Sequence, residues 1–421
     1  MAQAAASVDV LVIGAGPGGS TAAYFLARHG VDVALVEKAS FPREKVCGDG
    51  LTPRVVKLLG EMGVDTDDPG FVHVEGLRIY GRDASLTLPW PVLADWPGLG
   101  LVRTRLDFDH LLAQQSAKAG AQLWERTEAT GPIVADGWVS GAMLRELGDA
   151  DDGKKNKAPT REVRARFVIA ADGASSRFAG QAGVQRVPSR PLGIAARRYY
   201  RIDRPQEPWL DSWLDLWDGE KLIPGYGWLF PLGDGVVNVG AGLLNTFTSF
   251  KDISAQHLFD AFAGMLSDWG VSEETAEGKL LSGPLPMGMN RQPLAQPGML
   301  VIGDAAGMIN PFNGEGISYA METGKLAAEL VYEALVNDRP GLAQVYPTEV
   351  RRRYGRYYFV GRNFAKAIGR PPVMRTLTKF GLPREWLMRF AMRVMANLTD
   401  GPTGDMQDRL IDALLRLAPA R

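Results

Sequence analysis

The only cysteine of this 421-residue chain lies in a loop whose residues suit proton donation. Cys47 stands in "FPREKVCGDGLTP", after the bases Arg43 and Lys45 and before two glycines. A thiol with an ordinary pKa of about 8.5 is mostly protonated at neutral pH and is able to act as an acid. The alternative is a small residue that simply packs well, as unpaired cysteines often do. A single cysteine excludes an intramolecular disulfide and a cysteine-rich metal site, which fits a reducing cytosol.

The first forty residues read as a strand, a glycine turn, a helix and a second strand. In G-x-G-x-x-G, Gly14 permits a tight turn, Gly16 lets a pyrophosphate approach, and Gly19 allows close helix packing. Backbone N–H groups at the helix N-terminus then face the phosphate. Glu37 follows Gly19 by 18 residues, near the spacing of an acid that binds ribose hydroxyls. This order predicts a dinucleotide site; a glycine-rich turn of another α/β protein is the alternative.

Two later stretches, "VIAADGASSRFAG" and "GMLVIGDAAGMINPFNGEGI", resemble the FAD-dependent family of glutathione-reductase type, in its hydroxylase and reductase branch. The resemblance implies that Asp304 bonds the ribityl chain of FAD. It also implies that the helix opened by Gly314, Gly316 and Ile317 directs its positive end at the flavin. Arg105, in "RTRLDFDHLL", would lie near the FAD phosphates. The alternatives are a helix N-cap for Asp304 and a solvated charge for Arg105.

Three aromatic residues alternate in "PGYGWLFPLGDG". On a strand, Tyr226, Trp228 and Phe230 share one face, which forms either a core layer or the wall of an apolar pocket. This segment, "PREKVCGDGLTP" and "GDAAGMINPFNGEGI" together are similar to the geranylgeranyl reductase family, flavoproteins that saturate carbon–carbon double bonds of isoprenoid chains. The resemblance covers roughly residues 8–345. Within the family, "CGDGLTP" is most similar to the bacterial branch that reduces an isoprene unit of menaquinone.

This resemblance implies an FAD-dependent enzyme that reduces a polyprenyl chain, of menaquinone or else of a geranylgeranyl compound. Reduced flavin would supply a hydride, and Cys47 would donate the proton or position the alkene. Tyr226 is the second candidate donor, and Tyr226, Trp228 and Phe230 would line the substrate pocket. The electron donor would be NAD(P)H or a reduced protein. An FAD-dependent monooxygenase of an aromatic or quinone substrate shares the fold and is the alternative.

The expected architecture is α/β, with a discontinuous Rossmann FAD domain of glutathione-reductase type. It would comprise residues 1–70, 101–185 and 282–345. An α+β substrate domain with an antiparallel sheet would occupy residues 71–100 and 186–281. A helical, basic region would follow at 346–421. The polar segment 148–160 is typical of an exposed hairpin tip.

The C-terminal region concentrates positive charge. From Arg351 to Arg393 there are twelve Lys/Arg and one acid, so this segment carries +11, whereas the whole chain carries −1. Its helical apolar spacing favours an anionic membrane surface as a partner; packing on the FAD domain and diphosphate binding are alternatives. The near-neutral total charge excludes a strongly basic nucleic-acid binder. No histidine pair has metal-ligand spacing, no signal peptide is apparent, and a cytoplasmic location, peripheral on the inner face of the cell membrane, is expected.

Overall fold

The computed structural model describes residues 6–81, 84–148, 158–205, 207–223, 225–247 and 250–419. Within these ranges the strands are β1 Ala6–Ile13, β2 Val33–Val36, β3 Gly50–Leu51, β4 Val72–Val74, β5 Gly76–Tyr80, β6 Ser85–Pro89, β7 Gly100–Val102, β8 Gln122–Trp124, β9 Thr127–Ala135, β10 Trp138–Glu146, β11 Thr160–Ala170, β12 Gln185–Arg186, β13 Leu192–Arg201, β14 Trp209–Trp213, β15 Leu216–Asp218, β16 Lys221–Ile223, β17 Tyr226–Pro231, β18 Val236–Leu244, β19 Ala276–Pro286, β20 Arg291–Gln292, β21 Ala295–Gln296 and β22 Met299–Val301. The helices are α1 Pro17–Arg28, α2 Pro53–Glu61, α3 Arg105–Lys118, α4 Arg177–Gln181, α5 Ala255–Met265, α6 Ile317–Val336, α7 Tyr346–Ile368, α8 Pro371–Thr376, α9 Glu385–Ala396 and α10 Met406–Arg416.

A parallel sheet forms the first layer, in the order β22-β11-β1-β2-β8. Its strands are continuous apolar runs, such as Val10–Val12, because both faces of the sheet are buried in one apolar cluster. The expected α/β class is confirmed. Strands β10 and β11 pair as an antiparallel hairpin, while most of the predicted polar tip, at 149–157, lies outside the described residues.

Helices α1 and α6 cross at a contact between backbones. A Cβ added at Gly324 would lie 2.3 Å from the Gly18 carbonyl oxygen, and one at Gly18 would lie 2.9 Å from that of Ala320. Only glycine at Gly18 and Gly324 permits this separation. The crossing places the first turn of α1 and the start of α6 on the same side of the parallel sheet.

An antiparallel sheet forms the second layer, in the order β19-β13-β18-β17-β14-β5-β6, with β14 and β5 parallel. One face packs on α5, where Phe262 contacts Gly227 of β17. The opposite face carries the three alternating aromatic residues of β17 towards the loop that contains Cys47. The sheet draws strands from residues 76–89 and 192–286, and the domain limits given above stay a prediction.

The C-terminal region is helical, as expected, and its parts pack differently. Tyr354, Tyr357 and Tyr358 of α7 are buried against the parallel-sheet layer. Met392 of α9 packs in a cluster with Trp90, beside β6. Among the described residues, no helix combines the length and the apolar character needed to cross a membrane.

The helix crossing gives a first test. We expect Gly324→Ala to lower the free energy of unfolding by about 1–3 kcal/mol, because the added methyl group overpacks the contact with Gly18. Gly60→Ala is the matched control, since nothing lies within 4 Å of a Cβ at that helical glycine. It should raise the free energy by about 0.5–1 kcal/mol. Denaturant unfolding followed by tryptophan fluorescence measures both, and equal effects would contradict the close crossing.

Candidate active site

The glycine turn between β1 and α1 is built as the spacing predicts. Gly14 has a φ of +103°, and a Cβ at Gly19 would lie 1.8 Å from the Gly14 carbonyl oxygen. Around Gly16 the space is open: the nearest atom to a Cβ there is Nη2 of Arg43, at 3.8 Å. Gly16 is also the N-cap of α1, where no side chain caps the backbone N–H groups. Open space before uncapped N–H groups fits a pyrophosphate.

Glu37 lies buried at the end of β2 and closes the same turn. Its carboxylate accepts hydrogen bonds from the backbone N–H groups of Ala15, at 3.2 Å, and Ala39, at 3.0 Å. Nη2 of Arg43 forms a salt bridge with it, also at 3.2 Å. A carboxylate has about four acceptor positions, so this one retains capacity for a ribose hydroxyl.

Arg105 begins α3 and lies in a buried ion pair. Its guanidinium donates to both carboxylate oxygens of Asp109, at 2.6 and 2.7 Å. Asp109 also binds Arg43, at 2.8 Å, which connects Arg105 to the Glu37 end of the turn. Burial alone would lower the pKa of Arg105, but Asp109 and the Cys47 thiol raise it above its usual range. Arg105 is therefore a fixed cation beside Cys47, rather than the solvated charge considered as an alternative.

Asp304 follows β22 and faces the N-terminus of α6. Its Oδ1 lies 3.5 Å from the position of a Cβ on Gly316, the residue that caps α6. The Asp304 side chain is partly buried, and no described residue donates a hydrogen bond to it. It caps no helix, because neither the short turn at 303–306 nor α6 has a side-chain cap. A carboxylate with free acceptors fits the hydroxyl groups of a ribityl chain.

The start of α6 meets the second candidate proton donor. Gly314 has a φ of +81°, and a Cβ there would lie 2.7 Å from the hydroxyl oxygen of Tyr226. Ile317 is buried and packs in the cluster that also holds Leu51 and Cys47. The uncapped N–H groups of the first turn carry partial positive charge, as an anionic reduced flavin requires.

The loop that contains Cys47 is held by the buried side chain of Asp49. This carboxylate accepts hydrogen bonds from the Tyr199 hydroxyl, at 2.8 Å, the Asn238 amide, at 2.7 Å, and the Arg105 backbone N–H, at 3.1 Å. The Asn238 amide also donates to the Cys47 carbonyl oxygen, at 2.9 Å. Asp49 has a φ of +67°, a conformation that aspartate tolerates better than most residues. The loop is thereby fixed to β13, β18 and α3.

Burial raises the pKa of Asp49 to about 6, although Arg197 and the bonds from Asn238 and Tyr199 oppose this rise. The carboxylate is consequently ionised for the most part at neutral pH, inside a hydrogen-bonded cage. Burying such a charge is tolerated only when its oxygens are satisfied by donors.

The two candidate donors have different electrostatic surroundings. Burial raises the pKa of the Cys47 thiol, whereas the nearby Arg105 guanidinium lowers it; the rise prevails. The backbone N–H of Asp49 donates to the sulfur, at 3.3 Å. Burial, followed by the influence of Cys47, raises the pKa of Tyr226 to about 12. Both groups are protonated at neutral pH, and Cys47 has the cationic neighbour that stabilises its conjugate base.

The three aromatic residues of β17 form a ladder along one face, with ring centroids 5.8 and 6.4 Å apart. Trp228 is buried below the loop, since a Cβ at Gly48 would lie 3.1 Å from its Nε1, which donates to Asn238. Phe230 lies 3.2 Å from the Cβ positions of both Gly48 and Gly50. The loop glycines therefore allow direct packing on the aromatic face, and Tyr226 extends the ladder to α6.

Sequence reasoning missed several residues that assemble this site. Asn238 interrupts an apolar strand in "VVNVGAG", and such a polar residue is itself a signal of a buried hydrogen bond. Asp109 was also missed, although its i, i+4 spacing from Arg105 is a signal for their ion pair. In the sequence, Glu315 stands out only as part of the glycine-rich start of a helix. Its side chain accepts a hydrogen bond from Thr52, at the end of the Cys47 loop, and thus ties this loop to α6.

The fold and these groups define an FAD-binding oxidoreductase. A family described as "FAD binding domain" matches residues 7–197. The menaquinone reductase of Mycolicibacterium smegmatis is 37% identical over 401 residues, which cover 94% of this chain and 93% of that protein. The digeranylgeranylglycerophospholipid reductase of Thermoplasma volcanium is 34% identical over 83% of this chain and 84% of its own length.

A solved structure gives the same result. The geranylgeranyl bacteriochlorophyll reductase-like protein of Thermoplasma acidophilum superposes with a TM-score of 0.77, at 26% identity, over 97% of this chain and 99% of that one. This chain belongs to the geranylgeranyl reductase family of FAD-dependent oxidoreductases. The expected family, cofactor and enzyme class are confirmed, and the likeness to the curated relatives extends beyond residue 345.

The hydrogen-bonded cage that Tyr199, Asn238 and Arg105 form around Asp49, called the Asp49 cage below, predicts how the stability of the fold depends on pH. Its pKa of about 6 in the folded chain exceeds the ordinary value of 3.8, so its stabilising contribution is complete below about pH 4 and is lost as the pH rises through 6. Asp49→Asn removes this titration and tolerates the same backbone conformation. We expect the melting temperature of the wild type, relative to the variant, to fall between about pH 4 and pH 6. A difference that is constant over this range would contradict the assignment.

Proposed function

We propose that this protein saturates a carbon–carbon double bond of a polyprenyl chain, with the menaquinone side chain as the favoured substrate and a geranylgeranyl compound as the second. The observation that carries the proposal is the packing of the Cys47 loop on the aromatic face of β17, next to the start of α6. Full-length relatives named as reductases of prenyl lipids support it.

Saturation of an isolated alkene adds one hydrogen as hydride and one as a proton. Bound FAD, once reduced, supplies the hydride equivalent. We assign FAD binding to the glycine turn, Glu37, Arg105, Asp304 and the start of α6. We assign the proton to a group of the protein, because two partly buried donors, Cys47 and Tyr226, lie beside the aromatic face of β17 and the start of α6.

We assign proton donation to Cys47. The Arg105 guanidinium opposes the rise in the pKa of the Cys47 thiol, whereas burial and then Cys47 raise the pKa of Tyr226 to about 12 and no cation opposes that rise. The thiolate that remains is stabilised by the Arg105 guanidinium. In this arrangement Tyr226 positions the alkene, and Trp228 and Phe230 form the wall on which the loop rests.

The substrate is a membrane lipid, so we infer that the enzyme works at the inner face of the cell membrane. Its electron donor is then either NAD(P)H, bound transiently, or a reduced protein. Dithionite replaces this donor in the test below, so that the outcome does not depend on it.

The test is mass spectrometry of the product after anaerobic reduction of the purified holoenzyme. A menaquinone with a fully unsaturated side chain, reoxidised before analysis, should gain the mass of two hydrogen atoms per reacted bond. Geranylgeranyl diphosphate is tested in parallel, and the compound that gains hydrogen identifies the substrate. If an aerobic sample with NADPH instead gains the mass of one oxygen atom, the protein is a monooxygenase and the proposal fails.

The assignment of Cys47 predicts how variants behave in this assay. Cys47→Ala should lower kcat by about 10²–10⁴-fold, the usual contribution of a general acid. Tyr226→Phe keeps the ring and should mainly raise KM. Bound flavin, measured by absorbance, serves as the control for folding. Full activity of Cys47→Ala would show that the cysteine only packs.

A further inference from the structure

Residues 370–389 form a surface that is both basic and apolar. Three large apolar side chains are exposed there: Leu377 (46%), Phe380 (54%) and Trp386 (66%). The cations of this segment are Arg370, Arg375, Lys379, Arg384 and Arg389. All five are exposed, and the only acid among these residues, Glu385, pairs with Arg389. Soluble surfaces rarely combine exposed aromatic side chains with so little negative charge.

Helix α10 continues this surface with an exposed apolar stripe. Its members recur at helical spacing and are Met406, Leu410 and Leu414, followed by Leu417 after the helix. The opposite side of α10 buries Ile411 and Asp408. A helix that packs only on its own protein buries its apolar stripe, whereas this one presents the stripe outward.

A groove of about 470 Å³ separates α9 from α10. Its apolar lining includes Trp90, Val92, Met392 and Met406, and Arg389 lies at its edge. Trp90 belongs to the apolar cluster that also contains Phe230, the end of the aromatic ladder.

The groove also approaches the Cys47 loop. A Cβ on Gly100 would lie 3.0 Å from Nε1 of Trp90 and 2.9 Å from the carbonyl oxygen of Leu51. One strand, β7, thus separates the floor of the groove from the end of this loop.

We propose that residues 370–389 and the stripe of α10 dock on an anionic lipid bilayer, so that the groove opens towards the lipid and admits the prenyl chain. The proposal rests on the function proposed above, because a lipid substrate must leave the bilayer to reach Cys47. Charge complementarity selects the partner: five exposed cations favour anionic headgroups, and exposed Trp386 and Phe380 suit the interfacial layer. It narrows the sequence interpretation, which took the whole segment from Arg351 to Arg393, since the α7 tyrosines and Met392 are buried.

The test is sedimentation of the holoenzyme with vesicles of phosphatidylcholine, with and without phosphatidylglycerol. The wild type should bind the anionic vesicles and lose binding as salt is added. Phe380→Ser/Trp386→Ser and Lys379→Glu/Arg384→Glu should each reduce binding by at least about tenfold. Val336→Ser and Lys118→Glu change side chains of the same kinds on exposed parts of α6 and α3, and should bind as the wild type does.

Reductase activity separates this proposal from the function on which it rests. With a short-chain prenyl quinone in detergent, all variants should retain wild-type turnover; with menaquinone in vesicles, only the docking variants should lose it. Equal vesicle binding by wild type and docking variants would overturn the docking surface while leaving the reductase intact. The proposal would also be overturned if the wild type did not bind vesicles and if sedimentation equilibrium showed that it forms a dimer through these residues. Absence of turnover under both conditions would reject the reductase function instead.

Discussion

The buried carboxylate of Asp49 is the interaction on which the arrangement of the site depends. It receives donors from β13, β18 and the start of α3, elements that belong to two different layers of the molecule. A buried charge is costly unless its oxygens are hydrogen-bonded, and loss of one partner leaves the others unsatisfied. The loop that contains Cys47 is for this reason confined to one position between the layers.

Several features follow from that position. The loop lies directly on the aromatic ladder, and this packing favours glycine at Gly48 and Gly50 because a Cβ at either position would lie only 3.2 Å from the Phe230 ring. Cys47 then has Arg105 as a cationic neighbour, and the loop ends at Thr52, which donates to Glu315 at the start of α6. Hydrogen bonds thus hold the Cys47 loop relative to the start of α6, and the Tyr226 hydroxyl packs against the same helix start at Gly314.

The sequence predicted the parts of this site that depend on local spacing. The roles of Gly14, Gly16 and Gly19 are local. The tight turn, the open space expected for a phosphate and the close packing of the helix involve only the six residues from Gly14 to Gly19. The alternation of Tyr226, Trp228 and Phe230 likewise placed them on one face. Relatives confirmed the family that these motifs indicated.

The contacts of Asp49 were not predictable in this way. Tyr199 and Asn238 lie 150 and 189 residues from Asp49 along the chain, and only the register of β13 with β18 brings them together. The C-terminal helices illustrate the same limit. Periodicity indicated an apolar face for each helix, but only tertiary packing decides that the α7 tyrosines are buried and that Trp386 is exposed.

The reactivity of the single cysteine reports whether Asp49 holds the loop in place, because every labelled thiol in the sample is Cys47. We would measure its labelling rate with Ellman's reagent against pH in the wild type and in Asn238→Leu, which removes the amide that joins Asp49 to the Cys47 carbonyl. Asn363→Leu is the control, since this exposed amide bonds only within α7. We expect a slow wild-type reaction with a thiol pKa above that of free cysteine, and a rate at least about tenfold higher in Asn238→Leu once the loop opens locally. Equal rates in all three proteins would mean that the Asp49 cage does not hold the loop.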